Sequence, residues 1–364
     1  MKKMLMSMFV FTLCSSMAIA AAPKMSWNGH VRGSLESGTG SSVDGTGSGP
    51  KFGVLTSRVT ANTTMNRAMG SLEVELADGV RDNFRFIHGY AGYKFGKTTM
   101  VQVGRFKVPI GIDHLTAEAE LDLAERNGLT TSITHGWKNG LMLSGDVMGG
   151  LSYNLAYFTS SNNVEDYHNR AGRDNAYAAR LMYDRGNFHL EAAYAAQEGQ
   201  TVAFDGAGGT TAGGANIPIG YRSNVFHTMG FGFSYQMNRL MLKGEYLSAS
   251  NVGVPSGDSE VRLADMTTMY AHVGFNLRKN LDLMVRYYKS DVEGTAETHS
   301  IGTAQKPSLN NIYLGFNVMP EKNVRFQFNY VLVSGDDRDA ANPFPAIEGV
   351  RTANTLLAQA MITF

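Results

Sequence analysis

The chain has 364 residues, with 32 Lys and Arg balanced by 32 Asp and Glu, 41 Gly, 9 Pro and a single Cys. A net charge of zero argues against a nucleic-acid binder that relies on a basic surface, so we expect no nucleic-acid partner. One cysteine cannot form an intramolecular disulfide or a thiolate metal site. The apolar content of 43% excludes a disordered chain, and the length fits two ordinary domains or one large β-domain.

The first twenty residues have the pattern of an export signal. Lys2-Lys3 precedes an apolar stretch from Leu5 to Met17, and Ala18-Ile19-Ala20 provides the small residues of a cleavage site. We therefore expect 1–20 to be removed and 21–364 to leave the cytoplasm as one domain. No later segment has the roughly eighteen consecutive apolar residues of a transmembrane helix, which leaves a soluble secreted protein or a membrane β-barrel.

Apolar and polar residues alternate with period two from Trp27 to the end of the chain, which is typical of half-buried strands. Together with less regular stretches between the clearest runs, the alternation predicts an all-β fold, a transmembrane antiparallel β-barrel. An even number of strands is usual in closed single-chain bacterial barrels. The sixteen predicted strands are 27–36, 53–64, 72–76, 84–95, 99–106, 136–145, 151–157, 175–184, 188–196, 224–236, 239–248, 269–277, 281–290, 308–318, 324–332 and 356–364.

The predicted connections alternate between short and long. Short turns are expected at Asn66 to Gly70, 96–97, 146–150, 184–187, 237–239, 278–280 and 319–323. Longer polar segments are expected at 37–51, 107–135, 159–174, 198–223, 249–263, 291–307 and 335–352, and only 78–83 is brief among them. Outer-membrane barrels have tight periplasmic turns and long external loops, whereas a soluble sandwich has no reason to place its long loops at one end.

One face of the predicted strands carries charge and the other is aliphatic and aromatic. Because a basic residue facing lipid near the midplane costs about 2 to 4 kcal/mol, turning seven of them outward would cost roughly 14 to 28 kcal/mol. A typical net stability is only about 5 to 15 kcal/mol, so the charged face is predicted to line an aqueous lumen. Carboxylates interleaved with the bases limit the expected selectivity to a mild anion preference. The predicted pore-lining bases are Arg32, Arg58, Lys138, Arg180, Lys243, Arg286 and Arg325.

The connection 107–135 is the candidate constriction loop. Pro109 cannot donate to a sheet ladder, so the preceding strand should end near Phe106. The segment 115–126 is rich in helix-forming residues and in acids. If this loop folds into the lumen, its acids would face basic wall residues and create a transverse field; the alternative is an exposed helical turn at the cell surface. The candidate constriction residues are Lys107, Glu118, Glu120, Asp122, Glu125 and Arg126.

Four ordered segments resemble the motifs of the phosphate-selective porin O and P family. They are LEVELAD at 72–78, VGRFKVPIG at 103–111, Glu125-Arg126, and GLMLSGD at 140–146. The resemblance implies a usually trimeric outer-membrane channel of a Gram-negative bacterium with an inward-folded third loop. It also implies an arginine ladder and a lysine cluster that attract phosphate-like anions. Lys107 and Arg126 match motif positions, and the predicted wall arginines are the candidates for the ladder.

The last residue, Phe364, ends a strand-like segment and is similar to the signal by which outer-membrane barrels are recognised for assembly. The expected partners are therefore the assembly machinery, outer-membrane lipid and lipopolysaccharide, further copies of the chain in a homotrimer, and small anions or other small solutes.

Three function classes remain open at this stage. The sequence favours a passive porin for small hydrophilic solutes and ions. The alternatives are a non-conducting barrel with an adhesive or structural role and a barrel hydrolase. No GxSxG signature and no close metal-ligand spacing such as HExxH is present, so we predict no enzyme activity, no metal and no cofactor.

Overall fold

The computed structural model describes residues 22–38, 50–77, 84–126, 128–159, 175–197, 226–255, 261–294, 308–335, 351 and 353–364. Sixteen antiparallel strands form a closed barrel within these ranges, as predicted. The predicted export signal at 1–20 lies outside them, as does most of five predicted long connections, 37–51, 159–174, 198–223, 291–307 and 335–352.

The strands follow one another around the barrel in chain order. Their bounds are β1 Lys24–Gly38, β2 Lys51–Met65, β3 Ala68–Ala77, β4 Arg85–Phe95, β5 Thr99–Lys107, β6 Trp137–Asp146, β7 Leu151–Thr159, β8 Asn175–Arg185, β9 Phe188–Gln197, β10 Phe226–Met237, β11 Leu240–Pro255, β12 Val261–Arg278, β13 Leu281–Gly294, β14 Ser308–Glu321, β15 Val324–Gly335 and β16 Thr355–Thr363.

The barrel closes where β1 pairs with β16. Phe364 and Gly29 exchange backbone hydrogen bonds at this seam, each amide N–H donating to the other residue's carbonyl at 3.0 Å. A Cβ on Gly29 would lie 2.6 Å from the Phe364 ring, so a glycine is needed for the terminal aromatic side chain to pack there. Closure pairs the edge strands with each other and leaves no open sheet edge in the bilayer.

Several predicted connections are shorter in the structure than the sequence indicated, and two of them show why. The connection predicted at 249–263 is largely strand, because β11 continues to Pro255 and β12 starts at Val261. Asn251 has φ 61° and interrupts the ladder register between Ala249 and Val252, which breaks the alternation without ending the sheet. The turn predicted at Asn66 to Gly70 is also shorter, because β3 begins at Ala68.

A barrel wall of this kind presents alternate residues to its two sides. On β6, Leu141 is 48% exposed on the outer face, whereas Lys138 on the inner face is 4% exposed. The same alternation places Lys243 and Glu245 of β11 on the inside. The apolar outer surface matches a lipid environment, and the charged residues collect in the interior.

The connection between β5 and β6, residues 108–136, is named loop 3. It contains helix α1, Ile112–Leu115, a 3-10 turn at Glu118–Glu120, and helix α2, Gly128–Ile133. The segment 115–126 therefore forms one short turn and irregular chain, although its composition favours helix. Among the described helices, none has the length and apolar character needed to cross a bilayer.

Candidate functional site

Loop 3 lies inside the barrel, in contact with inward-facing side chains from several sides of the wall. The Ala124 amide donates to Asn329 Oδ1 of β15 at 2.7 Å, and Asn317 Nδ2 of β14 donates to the Asp122 carbonyl at 2.9 Å. On another part of the wall, Thr228 Oγ1 of β10 donates to the Ile133 carbonyl at 2.6 Å. These hydrogen bonds satisfy backbone groups of an irregular segment that would otherwise be buried without partners.

One part of the loop is held by apolar packing. Ile110, Leu129 and Ile133 are completely buried and belong to a hydrophobic cluster that includes Phe158 of β7 and Leu247 of β11. Fully burying such side chains contributes on the order of 1.5 to 3 kcal/mol each. This cluster attaches the loop to the wall without using charge.

Gly232, in the wall strand next to α1, leaves space for the side chain of Ile112. A Cβ on Gly232 of β10 would lie 2.6 Å from Cδ1 of Ile112. Within the loop, Gly111 has φ 81°, a left-handed conformation that favours glycine. Any side chain at position 232 would therefore require the Ile112 side chain to shift.

Helix α1 is attached to the wall by two polar contacts. The Ile112 amide donates a short hydrogen bond to the Glu245 carboxylate of β11. Asp113 Oδ1 accepts from Arg286 Nη1 of β13 at 2.8 Å, and the Arg286 guanidinium lies 4.6 Å from the centre of the Tyr270 ring. Arg286 is only 2% exposed, so this predicted pore-lining base is sealed beneath the loop instead of facing open water.

Asp122 forms the next attachment. Its Oδ2 lies 2.7 Å from Lys243 Nζ and 3.3 Å from Arg286 Nη2. Burial would raise the pKa of Asp122, but the positive charge of Lys243 and the neighbouring wall groups outweighs it and holds the pKa below its ordinary value. The carboxylate is therefore ionised throughout the neutral range.

Glu118 binds two wall arginines at once. Its carboxylate lies 3.1 Å from Arg32 Nη2 of β1 and 3.0 Å from Arg58 Nη2 of β2, while Arg58 also pairs with Glu73 and Glu75 of β3. Burial would raise the pKa of Glu118, but Arg58 and Arg32 outweigh it and hold the pKa below its usual range. The acid and the two bases touch directly, whereas the sequence predicted that they would face each other across an open constriction.

Lys107 and Arg126, the two residues at motif positions, contact the loop's own backbone. Lys107 Nζ donates to the carbonyls of His114 and Thr116. Arg126 Nε donates to the Asp113 carbonyl at 2.7 Å. His114 itself is buried, which lowers its pKa well below the ordinary value and leaves the ring neutral at pH 7. These contacts maintain the fold of the loop between α1 and the 3-10 turn.

Glu125 takes part in a further ion cluster, and this cluster includes Arg351, which the sequence pattern did not indicate. Arg351 Nη2 lies 2.7 Å from Glu125 Oε2, and the same guanidinium pairs with Glu36 of β1. Tyr313 of β14 donates to Glu125 Oε1 at 3.2 Å. Arg351 lies within the predicted connection 335–352, where no periodicity indicates which way a side chain points.

The remaining predicted residues occupy different settings. Arg180 of β8 pairs with the wall acid Glu191 of β9. Arg325 Nη2 of β15 donates to the Ala119 carbonyl at 2.8 Å. Lys138 is 4% exposed and buried, and Glu120 is exposed. Within the described ranges, no group of three His, Cys, Asp or Glu side chains is arranged to hold a metal ion.

A closed sixteen-stranded antiparallel barrel with a lipid-compatible outer surface, a charged interior and a connection folded into its lumen defines the class of outer-membrane porins. Residues 71–364 match the family model described as "Phosphate-selective porin O and P". The chain belongs to this family and is an outer-membrane channel for small solutes in a Gram-negative bacterium. No curated protein sequence matches it.

Solved structures with the same fold are distant in sequence. An OmpF structure from Salmonella typhi has a TM-score of 0.67 at 15% identity and covers 94% of this chain and 98% of its own. An anion-selective porin from Comamonas acidovorans has a TM-score of 0.65 at 13% identity and covers 94% and 100%. OmpT from Vibrio cholerae, described as a trimer form, has a TM-score of 0.64 at 12% identity and covers 94% and 100%.

Proposed function

We propose that this porin passes small hydrophilic solutes and ions by diffusion through a constriction formed by loop 3, with only a weak preference for anions. The observation that carries the proposal is the position of Glu118 between Arg32 and Arg58. A carboxylate in direct contact with two guanidinium groups cancels part of the positive charge that a passing anion would meet.

The other wall bases support the same conclusion. Lys243 and Arg286 pair with loop acids, and Arg180 pairs with a wall acid. Arg325 contacts a backbone carbonyl, and no carboxylate among the described residues forms an ion pair with it. A tight phosphate site would need several such cations directed at one point. The described array therefore supports a general porin with mild anion preference over a phosphate-specific one.

The assembly proposal rests on the seam and on the neighbours. We propose a homotrimer, since OmpT is described as a trimer, and contacts of the barrel surface with membrane lipid and lipopolysaccharide. Phe364 is 61% exposed beside the seam, which supports the proposal that the assembly machinery recognises it. No catalytic step enters the proposal, because diffusion through a water-filled lumen requires none.

The test is planar-bilayer conductance of the refolded mature protein in a salt gradient, with phosphate then added to a chloride solution. We expect stepwise channels, a small reversal potential in the anion-selective direction and little block by phosphate. Strong anion selectivity with phosphate block would show that the specificity suggested by the family name applies to this chain. Verified folded barrels that form no channels would overturn the porin proposal.

A further inference from the structure

A cavity of about 140 Å³ lies between loop 3 and the wall at the β1–β16 seam. Its apolar part is formed by Leu121 and Ala124 of the loop and Leu357 of β16, all of which are buried. A cavity of roughly this volume in a protein core holds a molecule of about six heavy atoms, such as benzene. This one differs because its other walls are polar.

Two buried polar atoms on residues that line the cavity have no hydrogen-bond partner among the described residues: Arg32 Nε, a donor, and Gln359 Oε1, an acceptor. Arg32 is 7% exposed and Gln359 is 4% exposed. Because Ser34 pairs with Gln359 across the seam, Arg32 and Gln359 project inward from neighbouring strands. Buried polar groups without partners are rare, and each one calls for an explanation.

The orientation of the Gln359 amide follows from its neighbours. Gln327 Nε2 donates to the carbonyls of Leu121 and Asp122 at 3.0 and 3.1 Å. The other end of that amide, Gln327 Oε1, then accepts from Gln359 Nε2 at 2.8 Å. Gln359 Oε1 is therefore left as the open acceptor.

Charges of both signs surround the same cavity. Arg32, Arg126 and Arg351 line it together with Glu36, Glu118 and Glu125. A phosphate ion would meet three carboxylates there, and a simple cation would meet three guanidinium groups. Because these charges pair with one another and balance, an ion of one sign gains no net attraction, whereas a zwitterion can meet both the open donor and the open acceptor.

We propose that this cavity is a binding subsite for a small zwitterion of the free amino acid class. The carboxylate of the ligand accepts from Arg32 Nε, and its ammonium group donates to Gln359 Oε1 and to a glutamate of the rim. Its short side chain lies against Leu121 and Leu357. Alanine has six heavy atoms, which fits the size of the cavity. The proposal rests on the porin function and extends it, because it names a class of solute that binds in the channel during its passage.

The direct test is isothermal titration calorimetry of the refolded full barrel with three probes of similar size. L-alanine carries both charges, L-lactate has a hydroxyl group in place of the ammonium group, and L-alaninamide lacks the carboxylate; each has six heavy atoms. We expect L-alanine to bind at least about tenfold more tightly than either of the others. Equal binding of the three probes, or no binding of L-alanine, would overturn the proposal.

Two variants locate the site. Gln359→Met removes the open acceptor and should weaken L-alanine binding about tenfold. Gln102→Met is its matched control, because Gln102 is a buried inward glutamine of β5 that does not line the cavity, and it should bind L-alanine as the unchanged protein does. Glu36→Gln, at a position that does not depend on the Gln327 amide, should also weaken binding. Unchanged affinity in both Gln359→Met and Glu36→Gln would contradict the assignment.

Conductance in planar bilayers separates this inference from the porin proposal. Channels whose current falls as L-alanine is added, with less effect in Gln359→Met, would support both. Channels without L-alanine binding in calorimetry would leave the porin function and overturn the subsite. If folded barrels bind L-alanine in calorimetry but form no channels, the binding site stands and the transport role is overturned.

Discussion

Loop 3 is attached to the barrel in two ways that differ in chemistry. Near α1 and α2 it contributes Ile110, Leu129 and Ile133 to an apolar cluster with the wall. Between Glu118 and Arg126 its attachment is mainly ionic and polar, with carboxylates bound to wall bases. The stabilisation from apolar burial depends little on ionic strength or pH. Ion pairs, in contrast, are weakened by added salt and by protonation of their carboxylates.

The apolar and the charged attachments of loop 3 have different roles in our proposal. We propose that the apolar part fixes where the loop lies and therefore how wide the opening is, and that the charged part determines which ions meet an uncompensated charge at that opening. Changes in the first part should thus alter conductance, and changes in the second should alter selectivity.

The largest effect is expected from Leu129→Asp. Leu129 is completely buried in the apolar cluster, and an unpaired carboxylate there costs several kcal/mol, enough to release α2 from the wall. We expect single-channel conductance to rise by about twofold or more, since a cross-section widens when the loop leaves it. Thr131→Asp adds the same charge on the exposed side of α2 and should leave conductance unchanged. Equal conductance in the two variants would show that the cluster does not hold the aperture.

Acidification should change selectivity strongly while the apolar attachment persists. The pKa values of Glu118 and Asp122 are held below their ordinary range, so their ion pairs are intact above the ordinary carboxylate pKa of about 4 and are lost as the pH falls through the lower folded values. The wall arginines keep their charge throughout. We expect the reversal potential in a KCl gradient to move toward anion selectivity mainly below about pH 4. A shift that is complete by pH 5 would contradict this assignment.

A smaller effect is expected from Glu118→Gln at neutral pH. The substitution removes the carboxylate that touches Arg32 and Arg58, and one such contact is worth about 1 kcal/mol in water-like surroundings. The anion-to-cation permeability ratio should therefore rise by up to about fivefold. Glu120→Gln, in the same 3-10 turn but exposed, is the matched control and should produce a much smaller change. If both variants shift the ratio equally, the pairing with the wall arginines is not what limits selectivity.

The strands were predictable because period two is a local property of the sequence. The run from Leu356 to Phe364, for example, shows its outward face without reference to any other segment. The same alternation separated the lipid face from the charged face, since a one-residue slip exchanges the two. The prediction was wrong where polar or small residues continue a strand, as at Asn251 of β11.

The contacts of loop 3 were less predictable because they join distant parts of the chain. Glu118 lies 86 positions from Arg32, and Asp113 lies 173 positions from Arg286. Composition indicated that an acidic loop and a basic wall exist but not which acid reaches which base. Direct pairing, and the burial of Arg286, follow only from the three-dimensional position of the loop.

The smallest effect is expected at Arg325, a wall base next to loop 3 that has no carboxylate partner within the described part of the chain. Arg325 Nη2 donates to the Ala119 carbonyl, a single hydrogen bond worth about 1 kcal/mol, while Gln327 holds the next residues of the loop independently. Arg325→Gln should therefore keep the conductance and lower the anion-to-cation permeability ratio by about twofold, opposite in sign to Glu118→Gln. Arg239→Gln removes the same charge at an exposed turn and should leave the ratio unchanged. A fall in conductance with Arg325→Gln would instead assign this arginine to the positioning of loop 3, and the separation between an apolar part that sets width and a charged part that sets selectivity would no longer hold there.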